Sequence, residues 1–510
     1  MSTLRIGEVA VTHRHVADVA HGRMAVALTE SAAWHERMRR GRAEVDRRAR
    51  ASEPFYGVNT GFGASCVNEV SFELGTQLAA NLVRFHGCGV GPLLAREESR
   101  AVLVARVAQL AAGWSGIRVE TLAAMVRLLA EDIVPCIPEL GSVGASGDLT
   151  PMSYVAAALA GERDVMHRGR TCPAREALAA AGMVPIAFQP KETLSIMNGT
   201  SVMSGLVALG LARAEAFARA HAATTAWCSF LLRGQAAHFD ERLFIAKPHP
   251  GSVRYAAWVR EALGCGARPA LAGGKVQDPY SVRCSPHVVG VLLEVIDQAA
   301  ATVEIELNGA NDNPLLCHET GAVLHGGNFY GGHIAHVADE LKVQLAHGAE
   351  VLERQLVLLC HAPAAAGLPE NLVAVSGAER AAHHGFKAME ILCSALVAEA
   401  LKLAAPASVF SRSTEGHNQD KVPMGTMAAR ELRALVERAE EVLAVCLLAA
   451  AQATDVAGRR AELPPALRRL HEAVRAVCPA SGGDQPLDGG IARCLAAHRA
   501  GALPVAGGAA

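Results

Sequence analysis

Residues 141–151 read GSVGASGDLTP, which sets Ala145, Ser146 and Gly147 in a row behind a glycine-studded approach. Gly147 has no Cβ, so its backbone can come close to other groups. In a hard bend its amide nitrogen can attack the Ala145 carbonyl carbon. Loss of two waters, one of them taking the Ser146 hydroxyl, then leaves a five-membered ring with an exocyclic methylene. Such a ring is an electrophile, a capability that no genetically coded side chain has. Thr150-Pro151 just beyond predicts a helix start, with Thr150 capping and Pro151 in the first turn, which would anchor one end of the bend. The tripeptide alone is common, and in a surface loop it serves flexibility, so the rest of the chain has to decide.

Six further stretches carry chemistry-bearing residues in turn-rich settings: YGVNTGFG (56–63) before the tripeptide, then NGTS (198–201), QDPYSVRCSP (277–286), NDNP (311–314), HGGNFYG (325–331) and EGHNQD (415–420). Taken in order with GSVGASGDLTP, they closely resemble the aromatic amino acid ammonia-lyase family, which comprises histidine, phenylalanine and tyrosine ammonia-lyases and related aminomutases. The resemblance spans about residues 50–460. Fumarase and aspartase also eliminate across a carbon–carbon bond, but their Ser-rich GSSxMPxKxN loop has no counterpart here.

The resemblance implies a mainly α-helical homotetramer with a long central helix bundle, a loop-rich N-terminal region, and active sites built from three subunits. It also implies a 4-methylidene-imidazol-5-one (MIO) group formed autocatalytically from Ala145, Ser146 and Gly147, with no external cofactor and no metal. Tyr56 matches the catalytic tyrosine, the base for a β-proton that is barely acidic. A phenol with pKa about 10 is a weak base at neutral pH unless its anion is stabilised, and without the motif Tyr56 would read as a half-buried core tyrosine. Arg283 matches the arginine that binds the substrate carboxylate, a task that suits a planar guanidinium; its bland reading is a surface ion pair. Asn198 matches a residue that hydrogen-bonds the MIO oxygen or the substrate. Tyr280 matches a second active-site tyrosine, with Gln277 one helical turn before it. Phe329 resembles the aromatic that shapes the site and assists ring formation. Glu415 and Gln419 resemble residues beside the amine and the ring. For Asn311 and Asn313 ordinary turn chemistry is the preferred reading.

Two places bear on the substrate. In NLVRFHGCGVG (81–91), Phe85-His86 stands where histidine enzymes of the family usually carry Ser-His, phenylalanine enzymes Phe-Leu, and many tyrosine enzymes His-Leu. The pair is a hybrid: Phe85 offers an apolar face to a benzene ring, and His86 offers a ring nitrogen to a phenol hydroxyl. Gln419 stands where histidine enzymes usually carry Glu, so no charge is supplied for an imidazole. The expectation is deamination of L-tyrosine to 4-coumarate and ammonia, with L-phenylalanine to cinnamate second. A histidine ammonia-lyase, an MIO-dependent aromatic aminomutase and a catalytically inactive helical scaffold stay open as alternatives.

The elements that must position these residues are helical. In 120–133, Leu122, Met125, Val126, Leu129 and Ile133 form one stripe; in 333–359, Ile334, Val337, Leu341, Leu345, Leu352, Leu356 and Leu359 repeat at three, four or seven residues. The 387–404 segment is apolar nearly all round, which predicts deep burial or a subunit interface. Strand signals are few and aromatic content is 4%, as in helix-on-helix packing. The expected organisation is an MIO-bearing region over 1–200, a long-helix bundle over 201–480, and a C-terminal helix and disordered tail over 481–510.

Across all 510 residues the net charge is −2 and 51% are hydrophobic, so the chain can bury a large core and gives no electrostatic case for nucleic acid or an anionic membrane. No run of ~18 uncharged apolar residues predicts a membrane span, and the N-terminus lacks the apolar region of a signal peptide. The 13 cysteines are dispersed, without CxxC pairs, and read as reduced cytoplasmic thiols; the 21 histidines show no zinc spacing.

Overall fold

The structure is a computed structural model that describes residues 2–51, 53–270, 275–362, 366–480 and 482–505. It is mainly α. Four helices dominate: Ser201–Leu231, Ser285–Asn308, Gly332–Cys360 and Gly425–Val456. The periodic apolar residues of 333–359 are all buried along the third of them. Ser201–Leu231 is long and apolar enough to cross a membrane by length and composition, although the sequence has no uninterrupted apolar run there; 78% of its apolar window is buried, as in a core helix. The thirteen cysteines are all free.

The chain divides into two compact units. The first comprises Met1–Ala212, Ala299–Asp339 and Pro406–Glu431; the second comprises Arg213–Gln298, Glu340–Ala405 and Leu432–Ala510. These units differ from the consecutive segments expected from sequence. Each of the four long helices has residues in both units, so segments distant in sequence share a unit. The terminal residues 506–510, expected to be a disordered tail, lie outside the described residues.

Within the first unit, the Arg96–Ala111 helix is buried on nearly all sides, and its Arg100 and Arg106 guanidinium groups are buried with it. The strand Pro138–Leu140 pairs antiparallel with Val90–Leu93 and delivers the chain into the glycine-rich loop at 141. Two elements of this unit differ from the sequence expectation. The helix expected to run to Ile133 is Val119–Ala130; Asp132 takes a left-handed conformation (φ 54°), and Ile133 opens a strand, Ile133–Pro135. The helix after the tripeptide is Leu149–Leu159, with Asp148 instead of Thr150 at the N-cap position and no side-chain cap, and Thr150-Pro151 lie inside its first turn.

Within the second unit, side chains tie the long helices together. Trp227 Nε1 donates to Thr454 Oγ1 at 2.9 Å, and His221 Nε2 meets Gly348 O at 3.1 Å. The Lys387–Leu403 helix buries Met389, Cys393, Leu396, Val397 and Ala400, but leaves Ile391 67% exposed and Leu401 43% exposed. Its all-round apolar sequence is therefore satisfied on only one face by this chain.

Candidate active site

The 141–148 loop folds back on itself. Gly141, Gly144 and Gly147 all have positive φ (146°, 75° and 70°), the region that L side chains avoid. An isolated backbone bridge pairs Ala145 with Gly147, and a second pairs Gly147 with Gly199. A Cβ on Gly147 would overlap the Gly199 carbonyl oxygen, so only glycine fits against this neighbouring strand of backbone.

Asp148 holds the base of the loop. Its buried carboxylate accepts from the Val202 and Met203 backbone N–H groups, both at 3.0 Å, from Ser142 Oγ at 3.0 Å, and from Thr426 Oγ1. It thereby satisfies two of the otherwise unpaired N–H groups that open the Ser201–Leu231 helix. Asp148 N donates to Gly199 O at 2.8 Å. Burial pushes the carboxyl up from its ordinary range, and the hydrogen bonds to the ionised form oppose that push.

Two donors converge on Ser146. Asn198 Nδ2 donates to Ser146 O at 2.6 Å, and Gln419 Nε2 donates to Ser146 Oγ at 2.9 Å. Both amides are held in one orientation. Asn313 N donates to Asn198 Oδ1 at 2.6 Å, and Thr414 Oγ1 donates to Gln419 Oε1 at 2.9 Å. Backbone pairing of Thr414 with Gln419 closes the loop that carries the second amide. Asn313, read from sequence as turn chemistry, also accepts from Gly326 N at 2.9 Å; it is a turn residue that holds the Asn198 amide. Its neighbour Asn311 donates to Glu306 Oε1 at 2.6 Å and Thr200 Oγ1 at 2.9 Å. The segment is anchored by a fully buried pair, Lys191 Nζ on Asp312 Oδ2 at 2.7 Å, with Ser115 Oγ on the other carboxylate oxygen at 2.7 Å.

Tyr56, Phe85, His86, Ala145, Ser146, Asn198, Phe329, Glu415 and Gln419 line one cavity of about 790 Å³ in the first unit. The structure thus brings nine of the site residues expected from sequence into one place. The Tyr56 hydroxyl accepts from Gly63 N at 2.8 Å. Burial raises the phenol above its ordinary value, against the pull of the Gly63 N–H, and the nearby Glu415 charge raises it further. The Glu415 carboxylate, at φ 52°, accepts from Ala64 N and Asn418 Nδ2, both at 2.8 Å, and so fastens the 61–68 segment over the site.

His86 Nδ1 lies 3.0 Å from Leu82 O. A carbonyl only accepts, so Nδ1 carries the hydrogen. Burial, aided by the Arg163 charge, lowers the ring below the ordinary histidine value and keeps it neutral. Nε2 therefore bears a lone pair and is an acceptor. The Phe85 ring lies 4.2 Å from the His86 ring, centroid to centroid, and is 60% exposed.

Gln277, Tyr280 and Arg283 belong to the second unit and are not among the residues that line this cavity. Tyr280 and Arg283 bound a short helix, with Arg283 Cζ 4.5 Å above the Tyr280 ring and Arg283 Nε donating to Asp278 O at 3.0 Å. Tyr280 is 71% exposed. Gln277 precedes the helix, which begins after Pro279, so it does not stand one helical turn below Tyr280 as the spacing suggested. Among the described residues, no group of three or more His, Cys, Asp or Glu is placed to hold a metal.

Sequence reasoning missed Asp148 as the anchor of the loop and missed Arg106 beneath Asn198. A signal existed for each: an acid immediately after the tripeptide, and an arginine in the otherwise apolar run AVLVARVAQLA (101–111).

Residues 11–476 match the family described as aromatic amino acid lyase. The chain is 37% identical over 512 aligned residues to a tyrosine ammonia-lyase of Cupriavidus metallidurans, covering 96% of this chain and 94% of that protein. It is 39% identical over 419 residues to a histidine ammonia-lyase of Aromatoleum aromaticum, covering 82% of this chain and 79% of that one. The crystal structure of tyrosine aminomutase from Streptomyces globisporus superposes with a TM-score of 0.90 at 34% identity, covering 98% of this chain and 97% of the other.

Proposed function

This chain belongs to the aromatic amino acid lyase family and is a carbon–nitrogen lyase, and from that premise we propose that it removes ammonia from L-tyrosine to give 4-coumarate, with L-phenylalanine as the weaker substrate. The observation that carries the choice is the Phe85-His86 pair on the cavity wall: an exposed apolar ring beside a neutral imidazole whose free nitrogen accepts. An aromatic ring packs on the first, and a phenol O–H donates to the second. Gln419 brings no charge for a histidine imidazole, and its amide is committed to Ser146 and Thr414.

The tripeptide fits an MIO group. The loop bends back so that Ala145 and Gly147 pair, as cyclisation requires of it, and the cradle at Gly199 has no room for a side chain on Gly147. When formed, the ring supplies an electrophile for the substrate amine and makes ammonia a better leaving group. The protein's own residues do the rest. The Tyr56 oxygen, held by Gly63 N–H, takes the β-proton. Its raised pKa means that the phenolate needs an opposite charge nearby, which the substrate ammonium brings. Asn198 holds Ser146 O, and Gln419 holds the Ser146 hydroxyl that would leave as the ring forms. Phe62 packs edge-on to Tyr56 at 6.5 Å and helps keep water from the base.

Gln277, Tyr280 and Arg283 complete the site of a neighbouring copy in this proposal, with Arg283 holding the substrate carboxylate. The exposed Gln277 and Tyr280 beside the half-buried Arg283 in the second unit, and the apolar face of the Lys387–Leu403 helix left bare by one chain, support a homo-oligomer. An aminomutase is the second reading, favoured by the 0.90 superposition on tyrosine aminomutase. The test is incubation of the purified protein with L-tyrosine, L-phenylalanine and L-histidine separately. Near-ultraviolet absorbance should rise fastest with tyrosine, and 4-coumarate with one equivalent of ammonia should accumulate. A β-amino acid as main product supports the aminomutase, and a preference for histidine overturns the substrate choice.

A further inference from the structure

Arg106 is 1% exposed, yet no carboxylate meets it directly among the described residues. Its fork is spent on neutral acceptors: Nη2 donates to Ser195 O and to Asn198 O, the latter at 2.6 Å, and Nη1 donates to Gln109 Oε1 at 3.1 Å. Nε is buried without a partner among the described residues. Burial pulls the guanidinium down to about 10, so it is still a cation at neutral pH. A desolvated cation satisfied only in part is costly to keep, and its place in the fold suggests what it does.

Arg106, Gly199 and Gly147 lie in three successive layers. A Cβ on Gly199 would overlap Arg106 Nη1, and a Cβ on Gly147 would overlap Gly199 O. Two glycines thus strip away side chains so that a guanidinium, the Asn198–Gly199 peptide and the bent tripeptide stack directly. Asn198 takes the guanidinium on its main-chain oxygen and donates its side-chain amide to Ser146 O at 2.6 Å.

We propose that Arg106 is a positioning residue for formation of the electrophilic ring: it pins the Ser195–Gly199 turn so that Asn198 Nδ2 meets Ser146 O and Gly199 backs Gly147. This rests on the reading that Ala145-Ser146-Gly147 cyclises. In the first step Gly147 N bonds to the Ala145 carbonyl carbon, and that carbonyl oxygen leaves as water with the hydrogens of Gly147 N and Ser146 N. In the second, the Ser146 Cα proton and the Ser146 hydroxyl leave as water, and the Cα–Cβ double bond forms. No oxidant is needed. As the Cα proton departs, negative charge develops on Ser146 O, where the Asn198 amide already points; a donor preset at that oxygen lowers the barrier. Arg106 touches none of the reacting atoms and acts through Asn198.

The test follows the chain mass at intervals after cell-free synthesis for wild type, Arg106→Gln, Arg106→Lys and Gln109→Glu, with thermal melting as the measure of folding. Gln109→Glu is nearly isosteric and draws the guanidinium towards a carboxylate without opening a void, so it decides the matter if Arg106→Gln does not fold. The wild type should lose two waters. Folded Arg106→Gln and Gln109→Glu should lose them about tenfold more slowly or stall, and Arg106→Lys, which keeps the charge, should recover part of the rate. A purely structural arginine would lower the melting temperature and leave the maturation rate of folded chains unchanged, and that result overturns the proposal. A wild type that loses no water overturns the ring reading itself, which separates the two failures.

Discussion

Replacing His86 by leucine removes the one polar group that the Phe85-His86 pair presents to the ring of a substrate, at little change in volume. The 3.0 Å contact from Nδ1 to Leu82 O fixes the tautomer, and burial keeps the ring neutral, so Nε2 accepts from a phenol hydroxyl. Losing one net hydrogen bond costs about 0.5–1.5 kcal/mol, and stranding a buried hydroxyl costs about 1–3 kcal/mol. At about 1.4 kcal/mol per factor of ten, kcat/KM for tyrosine should fall roughly 10- to 100-fold relative to phenylalanine. Phenylalanine has no hydroxyl to strand, and its ring keeps the Phe85 surface, so its rate should hold. The Leu82 carbonyl loses its side-chain partner at the end of the Gly75–Phe85 helix, and melting should show only a small loss of stability. The assay is kcat/KM for tyrosine, phenylalanine and histidine, followed by product absorbance in wild type and variant. Histidine should remain a poor substrate, because Gln419 still lacks a charge. If both aromatic rates fall together and the tyrosine-to-phenylalanine ratio barely moves, His86 is a structural histidine and the substrate proposal loses its main support.

Tyr56→Phe removes one oxygen and little volume, so the protein should fold while kcat falls by at least ~10²–10⁴-fold; a fall of only a few-fold in steady-state assays would move the base to another residue. Asp148→Asn weakens the carboxylate cradle that receives Val202 and Met203 N–H, Ser142 and Thr426, and should cost about 1–3 kcal/mol in urea unfolding; unchanged stability would mean that those bonds are not what anchors the loop. The pH dependence of specificity has a defined sign. His86 is depressed below its ordinary 6.5 by burial, so it is mainly neutral at neutral pH and gains its proton on acidification. The tyrosine-to-phenylalanine ratio should therefore be flat through neutral pH and decline on acidification. The same depression stabilises the fold above the unfolded pKa and is lost as pH falls. A ratio that instead declines as pH rises through neutrality contradicts an acceptor His86.

Much of the candidate site could be read from local sequence, because its parts are backbone-dictated. GSVGASGDLTP needs positive φ at Gly141, Gly144 and Gly147, and glycines mark such turns one by one. YGVNTGFG, NGTS and EGHNQD are likewise turns whose polar residues reach into one cavity. What stayed hidden depends on distant partners. Asp148 directly follows the tripeptide, and its four acceptor bonds go to residues 142, 202, 203 and 426. Arg106 sits on a helix whose apolar neighbours hide the reason for a charge, and that reason lies about ninety residues on, at Asn198. Helix ends were legible only where propensity and tertiary context agree. The 120–133 stripe continues its period into Ile133, but strand pairing with Asp164–His167 takes that residue out of the helix. The Gly332–Cys360 helix was legible from its leucine period, but the division into two units was not, since 299–339 and 406–431 join the first unit through contacts no local pattern encodes.

The central claim is that Ala145-Ser146-Gly147 becomes an electrophilic ring that the lyase reaction requires. The most direct measurement is the mass of the peptide spanning 141–151 from active wild-type protein and from Ser146→Ala. The wild-type peptide should be lighter by two waters. Ser146→Ala, which has no hydroxyl to lose, should fold, keep its peptide at full mass and have almost no activity. An unmodified 141–151 peptide in active wild-type protein would contradict the claim.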